Sequence, residues 1–246
     1  MLDIGFYELV AAIFIATAGS LVQASVGFGF ALVTVPLLTL INPVFAPGPT
    51  LCANLVLALL MSIRERAAIE RGQLSMAAVG LVVGTVIGAL GLSLIPQDHL
   101  GGLFGFMILA AVGLSVVGHH VDIIPRNLLV IGLSSGIMGT MAGIHGPPIA
   151  LLYQRAPGKT VRATLALFFA FAYTISICAL FFTHLFGMRE LLLCAILAPG
   201  VIIGYLLSWK IQERFDGQYL WRAILAVAGL SGLALVGKEL FSLFSI

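Results

Sequence analysis

The chain has 246 residues, 61% of them hydrophobic and only 9% charged, with a net charge of +2 and a mean hydropathy of +1.15. A soluble domain carries roughly 25% charged residues, so a soluble globular fold is excluded and a polytopic helical membrane protein is expected. The N-terminus opens Met1-Leu2-Asp3, with no basic region or small-residue cleavage site, so no removable signal peptide is read there.

Apolar stretches run over residues 6–26, 27–41, 49–63, 74–95 and 100–117, then 127–142, 143–154, 163–186, 190–208 and 219–237. No Asp, Glu, Lys or Arg occurs between Glu8 and Arg64, and 74–95 alone gives 22 residues where a bilayer span needs about 20. Turn-forming residues mark the breaks: Asn42-Pro43, Pro47-Gly48-Pro49, Pro96-Gln97-Asp98, Pro125-Arg126 and Pro157-Gly158. Two stretches fit poorly as simple spans. Residues 127–154 would make one helix of about 42 Å, but Gly143-Ile144-His145-Gly146-Pro147-Pro148 interrupts it. The stretch 6–41 is interrupted in the same way by Gly27-Phe28-Gly29. Each reads as a broken pair that dips into the membrane and bends at a glycine-rich tip; a long tilted helix with a kink is the alternative.

The chain also contains itself twice. Shifted by 116 positions, Gly84–Ser115 matches Gly200–Ser231 at twelve of thirty-two positions, against about four expected from apolar composition. Gly27 falls on Gly143 at the same offset. Five segments per half give opposite orientations. Basic residues support this: Arg64, Arg66 and Arg71 follow 49–63, whereas the matching 183–190 holds only Arg189 beside Glu190. Conversely, 42–48 and 96–101 lack Lys and Arg, while their counterparts hold Arg155, Lys159 and Arg162, and Lys210 and Arg214. The positive-inside rule therefore assigns 64–73, 155–162 and 210–218 to the cytoplasm of a multi-pass protein of the cell (inner) membrane. The expected fold class is an all-α polytopic membrane protein with two inverted-topology repeats, each holding a broken or re-entrant helix pair, and roughly 8 to 10 membrane segments. Residues 1–118 form the first repeat, 119–126 the connecting loop and 127–246 the second repeat.

Several blocks resemble a known family. Gln23-Ala24-Ser25-Val26-Gly27-Phe28-Gly29-Phe30-Ala31-Leu32-Val33, Val35-Pro36-Leu37-Leu38 and Arg64-Glu65-Arg66 are similar to the first half of the TauE/SafE sulfite exporter family. Ala142-Gly143-Ile144-His145-Gly146-Pro147-Pro148 and Arg162-Ala163-Thr164-Leu165-Ala166-Leu167-Phe168-Phe169 look like its second half, with His145 standing where a small residue is expected. The resemblance covers nearly the whole chain. It implies a permease moving small organosulfur or sulfur oxyanions, such as sulfite or sulfonates, usually outward.

Broken helices at mid-membrane expose N–H groups at the start of the following half-helix, and these can hold an anion without a fixed cation. The substrate-binding residues expected on this basis are Gly27, Phe28 and Gly29 in one tip and Gly143, His145, Gly146 and Pro147 in the other. Close helix packing through small residues is the competing role for the glycines. His145 either contacts an oxyanion, or carries a coupled proton, or is a hydrogen-bonded core histidine. Gln23, Ser25, Asn54 and Thr164 either line the route or act as interhelical hydrogen-bond glue. Arg162 suits an anion-attracting entrance or a membrane anchor; Arg64 and Arg66 read as anchors. Gly80, Gly84 and Gly88, echoed at Gly200 and Gly204, read as a helix-packing stripe. His119, His120 and His184 are placed at loop or segment edges.

Cys52, Cys178 and Cys194 have no metal-ligand spacing and are read as buried, inert thiols. Gly158-Lys159-Thr160 lacks the upstream glycine of a phosphate loop, since Tyr153 stands in its place. No cofactor, metal or catalytic residue is expected. The expected partners are a small anionic substrate and the lipid bilayer, with a homodimer allowed and no nucleic acid. Two other classes compete with a secondary permease working by alternating access: a membrane subunit of a larger transport complex, and an intramembrane enzyme or redox subunit. A permease for another small organic anion is the nearer variant.

Overall fold

The computed structural model describes residues 4–70, 74–96, 99–117, 121–153, 156–211 and 217–244. Ten α-helices follow one another among them: α1 Phe6–Val26, α2 Phe30–Ile41, α3 Gly48–Arg64, α4 Leu74–Leu94, α5 Leu100–Val117, α6 Pro125–Ala142, α7 Gly146–Ala150, α8 Gly158–Phe182, α9 Met188–Ile211 and α10 Gly217–Phe244. Six described helices are long and apolar enough to cross a membrane: α1, α4, α5, α8, α9 and α10. This is a multi-pass membrane protein. α2 and α3 are shorter apolar helices, and Arg126, Asn127, Ser134 and Ser135 make α6 less apolar. His119, His120, Arg71, Arg155 and Arg214, all named above, lie outside the described residues.

The first interrupted stretch is a hairpin, not a kinked helix. α1 ends where Gly27 adopts φ 111° and donates its N–H to Gln23 O at 2.7 Å; Gly29, at φ 120°, then starts α2. A left-handed residue is cheap only for glycine, which has no Cβ to meet the following carbonyl. α2 folds back along α1: a Cβ on Gly19 would strike Thr34 and Phe30. Asn42, at the end of α2, donates to the Glu8 carboxylate near the start of α1 at 3.5 Å. The second stretch breaks at Gly143, φ 78°. There α7 has only five residues before a 3₁₀ turn over Leu151–Tyr153.

Helices meet where side chains are smallest. α4 packs on α6, and a Cβ on Gly80 or Gly84 would run into the carbonyls of Leu129 or Leu133. α9 packs on α1 in the same manner, with Gly200 and Gly204 against the carbonyls of Ile13 and Thr17. The stripe is a packing surface, as expected. Shifted by 116 positions, the α4–α6 contact becomes the α9–α1 contact. The opposite faces of α4 and α9 expose Val83, Val86, Leu90, Ile202, Ile203 and Leu206, as a lipid-facing surface requires. Cys178 is exposed rather than buried, because it points outward from α8; Cys52 is half-buried and Cys194 buried.

α3 and α8 pack side by side and run in opposite directions. The end of α3 meets the start of α8 through Glu65 and Arg162, 2.8 Å apart. At the other end, Gly48 abuts Phe186 and Glu190. Arg64 reaches Ser208 near the end of α9 at 3.0 Å. Arg64, Arg66, Lys159, Arg162 and Lys210 thus gather at one end of the bundle, and 42–48 and 183–190 gather at the other. His184 closes α8 at φ 61°.

Candidate substrate site

The two tips meet each other. Between them lies a cavity of about 10 Å³ lined by Gln23, Gly29, Ala31 and Leu32 from one side and Ile144, Gly146 and Pro147 from the other, with Phe169 and Tyr173 of α8 between them. That is room for about one water molecule. A larger recess of about 250 Å³ lies beside it, lined by Val26, Phe28, Ser115, Pro147, Tyr153 and Val161 among others. Phe28 packs against Gly146, where a Cβ would come within 3.2 Å of its ring, and Pro147 borders both spaces.

A chain of buried hydrogen bonds holds the first tip. Gln23 Oε1 accepts from the Phe30 N–H at 3.2 Å, across the break, and its Nε2 donates to Asn54 Oδ1 at 2.7 Å. Asn54 Nδ2 in turn donates to the Tyr173 hydroxyl at 2.6 Å. Each of these three side chains is 1% exposed, so losing a link would strand a polar group. Tyr173 accepts in this chain, so its hydroxyl hydrogen is not used by Asn54, and the residue borders the cavity. The N–H groups of Ala31 and Leu32 sit in the first turn of α2, where no intrahelical acceptor exists. The cavity is therefore rich in donors on the α2 side.

His145 lies behind the second tip, outside the cavity lining. Its ring fills the space beside Gly139, where a Cβ would collide with it. Nε2 is 3.1 Å from Ser176 Oγ, itself 2.8 Å from Thr140 Oγ1, and Ser135 Oγ donates to the His145 carbonyl at 2.8 Å. The ring stands edge-on to Tyr173 at 4.8 Å. Nδ1 is buried and has no hydrogen-bond partner among the described residues.

The sequence-derived residues thus fall into three groups. Gln23, Gly29, Gly146 and Pro147 line the cavity; Gly27, Gly143, Phe28, Asn54 and His145 shape or back it. Ser25, Arg162 and Thr164 do not reach it. Ser25 Oγ donates to Leu21 O within α1 at 2.7 Å, and Thr164 Oγ1 accepts from the Glu70 N–H at 3.1 Å. Arg162 is committed to Glu65 at the basic end of the bundle. Tyr173, Ser176 and Glu65 were missed by the sequence reading.

The family profile "Sulfite exporter TauE/SafE" matches residues 11–235, most of the chain. The chain belongs to the TauE/SafE sulfite exporter family. It is 27% identical over 217 residues to the "Probable sulfite/organosulfonate exporter TauE" of Cupriavidus necator, covering 81% of this chain and 82% of that protein. No solved structure matches the chain. The TauE/SafE profile spans both tips and every residue that lines the cavity between them.

Proposed function

We propose that this TauE/SafE member is a secondary permease that exports small sulfur oxyanions or organosulfonates, rather than an enzyme. The observation that carries the reading is the cavity between the tips. It is built from both halves of the chain, lies among buried residues and is lined by donors, with no carboxylate among its lining residues. An anion entering it would exchange part of its hydration shell for the N–H groups of α2, the Tyr173 hydroxyl and the Gln23 amide.

Two inverted repeats underlie the mechanism. The antiparallel α3 and α8, the matched α4–α6 and α9–α1 contacts, and the 116-residue duplication all favour that arrangement. With the basic end in the cytoplasm of the cell membrane, 64–73, 155–162 and 210–218 face inward. The cavity is smaller than a sulfite ion, so the tips must part on one side at a time. Alternating access then consists of one repeat rocking against the other about the Phe28–Gly146 contact.

Purified protein in liposomes is expected to release entrapped sulfite or methanesulfonate, with sulfate and acetate as comparison anions. Cysteines placed in 64–73 and 183–190 are expected to label from opposite sides. Labelling of both from one side, or flux no faster than in empty liposomes, would overturn the reading.

A further inference from the structure

The basic end holds a charged cluster that the cavity between the tips does not use. Arg162 Nε lies 2.8 Å from Glu65 Oε1, and its Nη2 lies 3.4 Å from Oε2. Arg64 Nη2 lies 3.3 Å from the same carboxylate and donates to the Ala24 carbonyl at 2.9 Å. Its guanidinium also stands 5.0 Å from the centre of the Tyr205 ring. Glu65 is only 6% exposed and the two arginines 15% and 16%. These residues are not a solvated fringe: with Lys159 and Trp209 they line an open recess of about 360 Å³. Among the described residues that line it, three are cations and one is a carboxylate.

The cluster also touches the first tip. A Cβ on Gly27 would lie 3.3 Å from Arg162 Cα, so Arg162 braces the turn from which α2 starts. The positions matched by the 116-residue offset carry no charge: Arg64, Glu65 and Arg162 correspond to Leu180, Phe181 and Ala46.

We infer that this recess is an anion-recruitment site and that Glu65 is its internal occupant. A carboxylate and a sulfur oxyanion present the same paired oxygens to a planar guanidinium. An oxyanion entering the recess replaces Glu65 on Arg162, with Arg64 and Lys159 supplying the remaining charge. Losing Glu65 loosens the brace on Gly27 and opens the route to the cavity. Its role in transport rests on the permease reading; its capacity to bind an anion does not.

Trp209 borders the recess and reports on it once Trp221, the second of the chain's two tryptophans, is replaced by Phe. Full-length protein in zwitterionic nanodiscs is titrated with sulfite, methanesulfonate and sulfate while Trp209 emission is followed. The expected result is a saturable change whose half-point falls about tenfold in Glu65→Gln, because the competitor has lost its charge. Glu65→Asp, kept in case the Gln variant does not fold, is expected to shift it less in the same direction. Arg162→Gln should abolish the change. An unmoved half-point in the Glu65 variants, or a response unaltered by Arg162→Gln, overturns the proposal. So does a Trp209 response that requires anionic lipid in the disc, which would make the occupant a lipid headgroup. Saturable binding without flux in liposomes would sink the permease reading and leave the recruitment site standing; flux with a silent Trp209 would do the reverse.

Discussion

The two tips occupy positions matched by the 116-residue offset but are built differently. The first carries two left-handed glycines, Gly27 and Gly29, and feeds a twelve-residue helix in whose opening turn Gln23 takes the Phe30 N–H while Ala31 and Leu32 have no intrahelical acceptor. The second has one, Gly143; where the offset places Gly29 it carries His145, in ordinary right-handed backbone at φ −83°. Pro147 and Pro148 follow and remove two N–H groups from a helix of only five residues. One tip therefore offers donors, and the other offers a stiff apolar wall held from behind by the His145–Ser176–Thr140 hydrogen bonds.

The largest expected effect tests that division at the glycines. Gly27→Val puts a β-branched side chain into a left-handed conformation, which costs about 1–2 kcal/mol for any L-residue, and drives it against Arg162. Because α2 starts three residues later, its donors shift with the turn, and displacements near 1 Å can cost about a hundredfold. Flux is expected to fall by about that factor. Gly143→Val meets Val35 and Thr50 at 3.4 and 3.5 Å, looser neighbours, and turns a wall rather than a donor set. A loss nearer tenfold follows, measured as initial efflux from liposomes at matched protein incorporation. Equal losses would break the asymmetry.

Tyr173→Phe sharpens it from the α8 side. The change removes the hydroxyl of a residue that lines the cavity, and with it the acceptor for Asn54. A hydrogen bond to a charged partner contributes about 1.5–3 kcal/mol, so the half-saturating anion concentration should rise about tenfold or more. Asn54→Asp would place a negative charge beside the cavity and is expected to be worse. A Tyr173→Phe protein with unchanged anion dependence would move the donors elsewhere.

Much of this was legible in the sequence, and the reasons it stopped are physical. The interrupted helices and the packing glycines come from local rules: breaks need glycine or proline, and close helix contacts need small residues. Gln23 and Gly29 were readable because they sit beside the break. Tyr173 was not, because it stands in an even apolar run and acquires its meaning from Asn54, 119 residues away. Arg162 was read as an entrance or an anchor, and its partner Glu65, which lies 97 residues earlier, sets what it can do. His145 was placed in the tip correctly, yet the turn that carries it points the ring backwards, toward Gly139. Side-chain direction inside an irregular turn is not written in residue type.

That last point yields the smallest effect. Gly139→Ala would place a methyl group where the His145 imidazole sits. The ring must leave its slot, and the Nε2···Ser176 contact is lost with it. Overpacking of this kind costs about 1–3 kcal/mol, visible as a lower unfolding midpoint in detergent. Flux per folded molecule should stay within about twofold, since the donor side is untouched. His145→Gly alone should also destabilise, by leaving a hole in place of a buried ring. Together the two changes should cost less than their sum, because the methyl group then occupies part of that hole. Strict additivity would mean that Gly139 and His145 are not steric partners. The second tip would then owe its stiffness to the Pro147-Pro148 pair alone.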